Sequence, residues 1–143
     1  MAREARRLIR LGVLLLLLGL LTGAVVPSLA VPRLGLSAHI LGVFGGLSSV
    51  VFGLVWPQLR LGSRASEVAC WLALYSFYAG WLMPLLGGAW GAGSTMLPMA
   101  AGTARGTAFQ EGVISAGLIT AAVAIVAVCL MLLWGLRTPP RES

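Results

Sequence analysis

Four long apolar runs constrain this chain more than any other feature. A helix needs roughly 20 apolar residues, at ~1.5 Å each, to cross a ~30 Å hydrocarbon layer. Such runs extend over about residues 8–26, 36–56, 68–86 and 112–136. The first is mostly Leu, with Pro27 and Pro32 beyond it. The second ends at Pro57. The third follows Ser66 and Glu67 and fades at Gly87 and Gly88, and the fourth carries no charge from Gly112 to Leu136. Composition agrees: 59% of the 143 residues are hydrophobic and 10% are charged, whereas soluble domains are nearer half and a quarter. The expected fold is all-α, one four-helix transmembrane bundle spanning 1–143, with an outer, lid-like loop at about 87–107.

The arginines set the expected orientation. All ten basic residues are Arg. Arg3, Arg6, Arg7, Arg10, Arg60, Arg64, Arg137 and Arg141 fall on one side of the four runs, and only Arg33 and Arg105 on the other. The positive-inside rule then places both termini in the cytoplasm, with the chain in a bacterial-type inner membrane. The net charge of +6 lies at segment ends, which excludes a phosphate-binding face for nucleic acid. "MAREARRLIR", a Leu-rich run and "SLA" also have the layout of a secretory signal. The run is long for one, so a permanent helix is expected. Cys70 and Cys129 lie in apolar runs without CxxC spacing and read as buried free thiols.

His39 is the single histidine, near the outer end of the second run. An ionisable group at membrane depth defaults to a functional hypothesis. It has two readings: a neutral imidazole bonded to a neighbouring helix, or a metal ligand. At 100° per residue, Gly42, Gly46, Ser49 and Gly53 fall near it on the helical wheel, a stripe of small residues. Such a stripe serves close helix packing. Alternatively it is a wall for a flat cofactor, with His39 reaching the metal. A haem with one axial imidazole fits a chain holding one His.

Other polar residues compete for roles. Thr107 to Gln110 matches a T-x-x-Q capping box, and Glu111 suits the first turn of a helix. Glu111 is also the one carboxylate expected at the depth of His39, where it could act as a base, position substrate or pair with Arg105. Tyr75, Tyr78 and Trp81 recur every three residues in "YSFYAGWLM". They read as core or interface aromatics, although the Tyr78 hydroxyl needs a partner in lipid. Met96 and Met99 read as space-fillers in the 87–107 connection, which is long enough to suggest a lid or pocket wall.

"VPRLGLSAH", "GLVWPQLRL", "LYSFYAGWL", "AWGAG", "MLPMAAG" and "FQEG", in that order, resemble the hydroxylaminobenzene mutase family over nearly the whole chain. A more distant resemblance is to styrene oxide isomerase, a four-helix membrane protein that holds haem b through a histidine of helix two and assembles as a trimer. The resemblance implies an isomerase: a redox-neutral rearrangement of a small aromatic substrate, aryl hydroxylamine to aminophenol or aryl epoxide to aldehyde. Ferric haem b would act as Lewis acid, and a homotrimer is implied by analogy. On this reading His39 is the iron ligand, with Gly42, Gly46 and Ser49 along the cofactor. Glu111 and Tyr78 are the catalytic candidates, and Tyr75, Trp81, Met99 and Gln110 line the substrate pocket. The sequence departs from the resembled patterns at three places. Gly45 stands where the isomerase has Asn. Leu41 and Gly80 stand where the mutases have Glu and Asn.

The alternative is a small transporter or structural subunit without cofactor. Four-helix multidrug transporters need an acid buried in helix one, and the first run here has none.

Overall fold

The computed structural model describes residues 2–137, so Arg141 of the expected cytoplasmic side lies outside the described residues. These residues form α1 (Ala2–Val25), α2 (Pro32–Val55), α3 (Ser63–Trp90), the one-turn α4 (Pro98–Ala101) and α5 (Ala108–Gly135). One-turn 3-10 helices follow α1 and α2, and no strand occurs among the described residues. The four long helices are each long and apolar enough to cross a membrane, as an integral membrane protein requires.

Every long helix extends past its apolar run, for identifiable reasons. α1 starts six residues before Leu8 because Arg and Glu are good helix formers. α2 begins at Pro32, whose fixed φ and missing N–H suit the first helical position. α3 does not fade at Gly87 and Gly88. It continues to Trp90 and stops at Gly91, which adopts φ +68°, a left-handed cap that favours glycine. α5 begins at the expected capping box: the Gln110 N–H donates to Thr107 Oγ1, and the Thr107 N–H to Gln110 Oε1.

The helices are not equally packed. α1, α2 and α3 pack mutually, whereas α5 rests on α3. One end of the assembly has a conventional core, in which fully buried Trp56 packs with Leu8, Cys70, Leu74 and Val128. Trp56 Nε1 donates to Ser66 Oγ there. The exposure of Cys129 corrects the expectation of two buried thiols: α5 leans on one neighbour, so much of its circumference faces outward.

Candidate functional site

The stripe of small residues on α2 is closed. A Cβ at Gly46 would lie 2.5 Å from Leu16 N and 2.8 Å from Gly12 O, and one at Gly42 would lie 2.7 Å from Gly19 Cα. Ser49 Oγ donates to Leu8 O of α1. The expectation that Gly42, Gly46 and Ser49 line a flat cofactor is therefore corrected. They form the α1–α2 seam, and the backbone of α1 occupies the space.

His39 heads this seam. Its Nδ1 lies 2.7 Å from Gly19 O. A carbonyl can only accept, so Nδ1 carries the proton, and a neutral ring keeps its lone pair on Nε2. The imidazole also lies against Gly23, where a Cβ would come within 2.9 Å of Nδ1. Trp81 reaches the same region from α3. Its ring meets Gly42, and its Nε1 donates to Thr22 Oγ1 of α1, whose hydroxyl donates to Leu18 O. Gly19, Thr22 and Gly23 were not singled out in the sequence. Gly12, Gly19 and Gly23 were nonetheless visible there as a small-residue pattern complementary to the one on α2.

The other expected residues are dispersed. Glu111 uses both oxygens: Oε1 accepts from the N–H groups of Gly93, Ser94 and Gly106 and from the Ser94 hydroxyl, and Oε2 from the Thr95 N–H. It folds the loop before α5 and is no free base. Arg105 turns instead to the carbonyls of Gly102 and Ala104. Gln110 Oε1 is engaged in the cap. Met99 is 90% exposed on α4, so within one chain it is not packed into a pocket wall. The Tyr78 hydroxyl donates to Leu11 O, eight residues and roughly 12 Å along α1 from Gly19. Tyr75 pairs with Thr120 of α5 at 2.6 Å. Tyr78 and Trp81 thus both bond to α1, at points far apart along it, while Tyr75 bonds to α5.

A cavity of about 320 Å³ opens elsewhere, in the groove between α2 and α5 over α3. Leu41, Phe44 and Gly45 of α2 line it, with Phe77 and Gly80 of α3, and α5 forms the far wall. The three departures from the resembled patterns, Leu41, Gly45 and Gly80, all meet here. A Cβ on Gly80 would touch nothing within 4 Å, so this wall is open space rather than packing. The size and apolar lining suit a single aromatic ring. His39 lies on the opposite flank of α2, against α1, so one chain does not unite the imidazole with the cavity. Among the described residues no group of three or more His, Cys, Asp or Glu is placed to hold a metal ion.

Residues 4–137 match the family described as styrene oxide isomerase. The chain belongs to that family. It is 52% identical over 136 residues to hydroxylaminobenzene mutase HabB of Ectopseudomonas oleovorans, covering 95% of this chain and 83% of the relative. It is 38% identical over 125 residues to hydroxylaminobenzene mutase HabA of the same organism, covering 87% and 93%. No solved structure matches it. The chain is thus an enzyme of the isomerase and mutase class.

Proposed function

We propose that the chain rearranges an aryl hydroxylamine to an aminophenol, with ferric haem b held by His39. The observation that carries the reading is the Nδ1–H bond from His39 to Gly19 O. Metal-ligating histidines characteristically donate the other ring N–H to a carbonyl or carboxylate, which fixes the tautomer and aims Nε2. The donor chemistry fits a haem, which needs one protein ligand. The glycine stripe does not fit as its resting wall, because α1 fills it. When bound, the ferric haem supplies an electron-pair acceptor for the substrate oxygen, so that the N–O bond can break without external electrons.

The chain's own residues do the rest. The Phe44–Phe77 groove takes the aromatic ring by apolar contact, and its lining keeps water from trapping a cationic fragment. Leu41, Gly45 and Gly80 supply no polar side chain there. Backbone replaces them: Pro84 has no N–H to give to the carbonyl of Gly80, four residues earlier. On this reading that carbonyl would be the acceptor for the N–H or O–H of a hydroxylamine. An epoxide has no such donor, and both relatives are named as hydroxylaminobenzene mutases.

Because His39 and the cavity occupy opposite flanks of α2, the working site is assembled between copies of the chain. A trimer is the form the resemblance favours. The arginine distribution supports cytoplasmic termini and an inner-membrane location.

The test is a visible spectrum of detergent-purified protein supplied with haem, followed by incubation with hydroxylaminobenzene or styrene oxide without reductant. A Soret band that vanishes in His39→Ala, with aminophenol formed only by the wild type, is expected. No band in the wild type overturns the cofactor. A band without aminophenol overturns the substrate.

A further inference from the structure

The N-terminal end of α1 carries chemistry that the proposed reaction does not use. Arg3, Arg6, Arg7 and Arg10 fall at i, i+3, i+4 and i+7, and with Leu11 they line a concavity of about 440 Å³. Four arginines in the first turns oppose the helix dipole, which favours anions there. Helix propensity accounts for their being helical, not for their clustering on one face. Beside them Arg64 and Glu67 of α3 line a second depression that includes Trp71. The five arginines face two nearby carboxylates, Glu4 and Glu67, and leave an excess of positive charge.

This basic concavity is continuous with an apolar one. Leu11 is shared with a groove of about 350 Å³ between α1 and α3, lined by Leu14, Trp71, Leu74, Tyr75 and Tyr78. Trp71 bridges the two: the Arg7 guanidinium lies 4.6 Å over its ring, and Trp71 also lines the groove. Below the arginines, the same outward face of α1 becomes Leu14, Leu17 and Leu21, all exposed. A charged head site therefore runs directly into a greasy channel along the lipid-facing surface.

We propose that this composite surface is a binding site for an anionic phospholipid of the surrounding bilayer. The phosphate is held by Arg3, Arg6 and Arg10, and one acyl chain lies in the Leu14–Tyr75 groove. Charge complementarity selects the anionic headgroup over a zwitterionic one. Arg7 stays stacked on Trp71 and forms the wall between head and tail.

The test uses the full chain, delipidated in detergent and titrated with phosphatidylglycerol, phosphatidylcholine or inorganic phosphate. Bound lipid is counted by native mass spectrometry. Phosphatidylglycerol is expected to bind about tenfold or more tighter than phosphatidylcholine. The triple variant Arg3→Gln, Arg6→Gln, Arg10→Gln is expected to abolish that preference. Leu14→Trp fills the groove at an exposed position and keeps every charge. It is expected to weaken phosphatidylglycerol binding and to spare phosphate binding. Equal affinity for the two lipids, or a preference that survives the triple variant, overturns the site. Displacement of bound phosphatidylglycerol by equimolar phosphate, or unchanged binding in Leu14→Trp, overturns the phospholipid as occupant. Because Leu14→Trp leaves the arginines intact, the outcome does not depend on the triple variant folding.

Discussion

Two interfaces of α2 use the same residue type to opposite ends. Toward α1, Gly42 and Gly46 let two backbones touch, and a Cβ at either would strike a backbone atom within 3 Å. Toward α3 and α5, Gly45 and Gly80 border a cavity, and at Gly80 a Cβ would meet nothing. The seam glycines remove space and Gly80 leaves it, while a Cβ at Gly45 would already meet Phe77 Cβ at 3.3 Å. A glycine stripe in a membrane helix is thus not by itself a ligand wall; what lies opposite each missing Cβ decides.

The sharpest way to break this comparison is to put a side chain on each face. Gly46→Val drives a branched side chain into Leu16 N and Gly12 O, neither of which is a flexible side-chain end. Overpacking of this kind reaches about 3 kcal/mol. The expected outcome is loss of monodisperse protein by size-exclusion chromatography in detergent, together with a lowered Tm. A Gly46→Val protein as stable as wild type would mean that the seam is not closed as described.

Gly80→Phe asks the opposite question. The new ring enters open space, so stability should change by no more than about 0.5 kcal/mol in either direction. The cavity for the substrate ring is filled, and kcat/KM for hydroxylaminobenzene should fall by about 100-fold or more, near the upper range for pocket contacts. Full activity with an unchanged Tm would remove the cavity from the reaction. A large loss of Tm would instead show that the groove is packed like the seam.

The helices were legible in the sequence because membrane spans advertise themselves by length and apolarity. Their ends were less so. The Arg-rich start of α1 and the Gly-rich end of α3 are helical, although neither looks apolar. The position of His39 at a helix–helix contact was readable, but its partner was not. Gly19 O is a backbone atom, and no side-chain pattern reports which carbonyl an imidazole will meet. Glu111 misled for a related reason. Its five donors come from loop residues 93–95 and 106, whose convergence depends on tertiary folding, so a carboxylate that looked available is fully committed. The cavity is not legible in the sequence, because nothing there reports that α5 rests on α3. Its walls come from three helices, and two of the positions that border it, Gly45 and Gly80, carry no side chain.

The smallest expected effect separates the two interfaces most finely. Ser49 Oγ donates to Leu8 O across the seam, and Ser76 Oγ donates to Ala121 O across the α3–α5 contact, both buried. Each accepting carbonyl belongs to a helix interior, where a backbone N–H four residues on can bond it, so neither Ser→Ala change strands a buried acceptor. Interhelical bonds of this type in membranes average about 0.6 kcal/mol. At the seam, backbone contact persists without the hydroxyl, and Ser49→Ala should shift Tm slightly and leave KM alone. At Ser76 the bond sets the distance of α5 from α3, and Ser76 itself borders the cavity. Ser76→Ala should therefore raise KM about two- to threefold at a comparable Tm shift, since ~0.6 kcal/mol is close to a threefold change in an equilibrium constant. Equal effects of the two substitutions on KM would mean that α5 is held by something other than this hydrogen bond, with its aromatic neighbour Tyr75 and the Thr120 hydroxyl the next pair to remove.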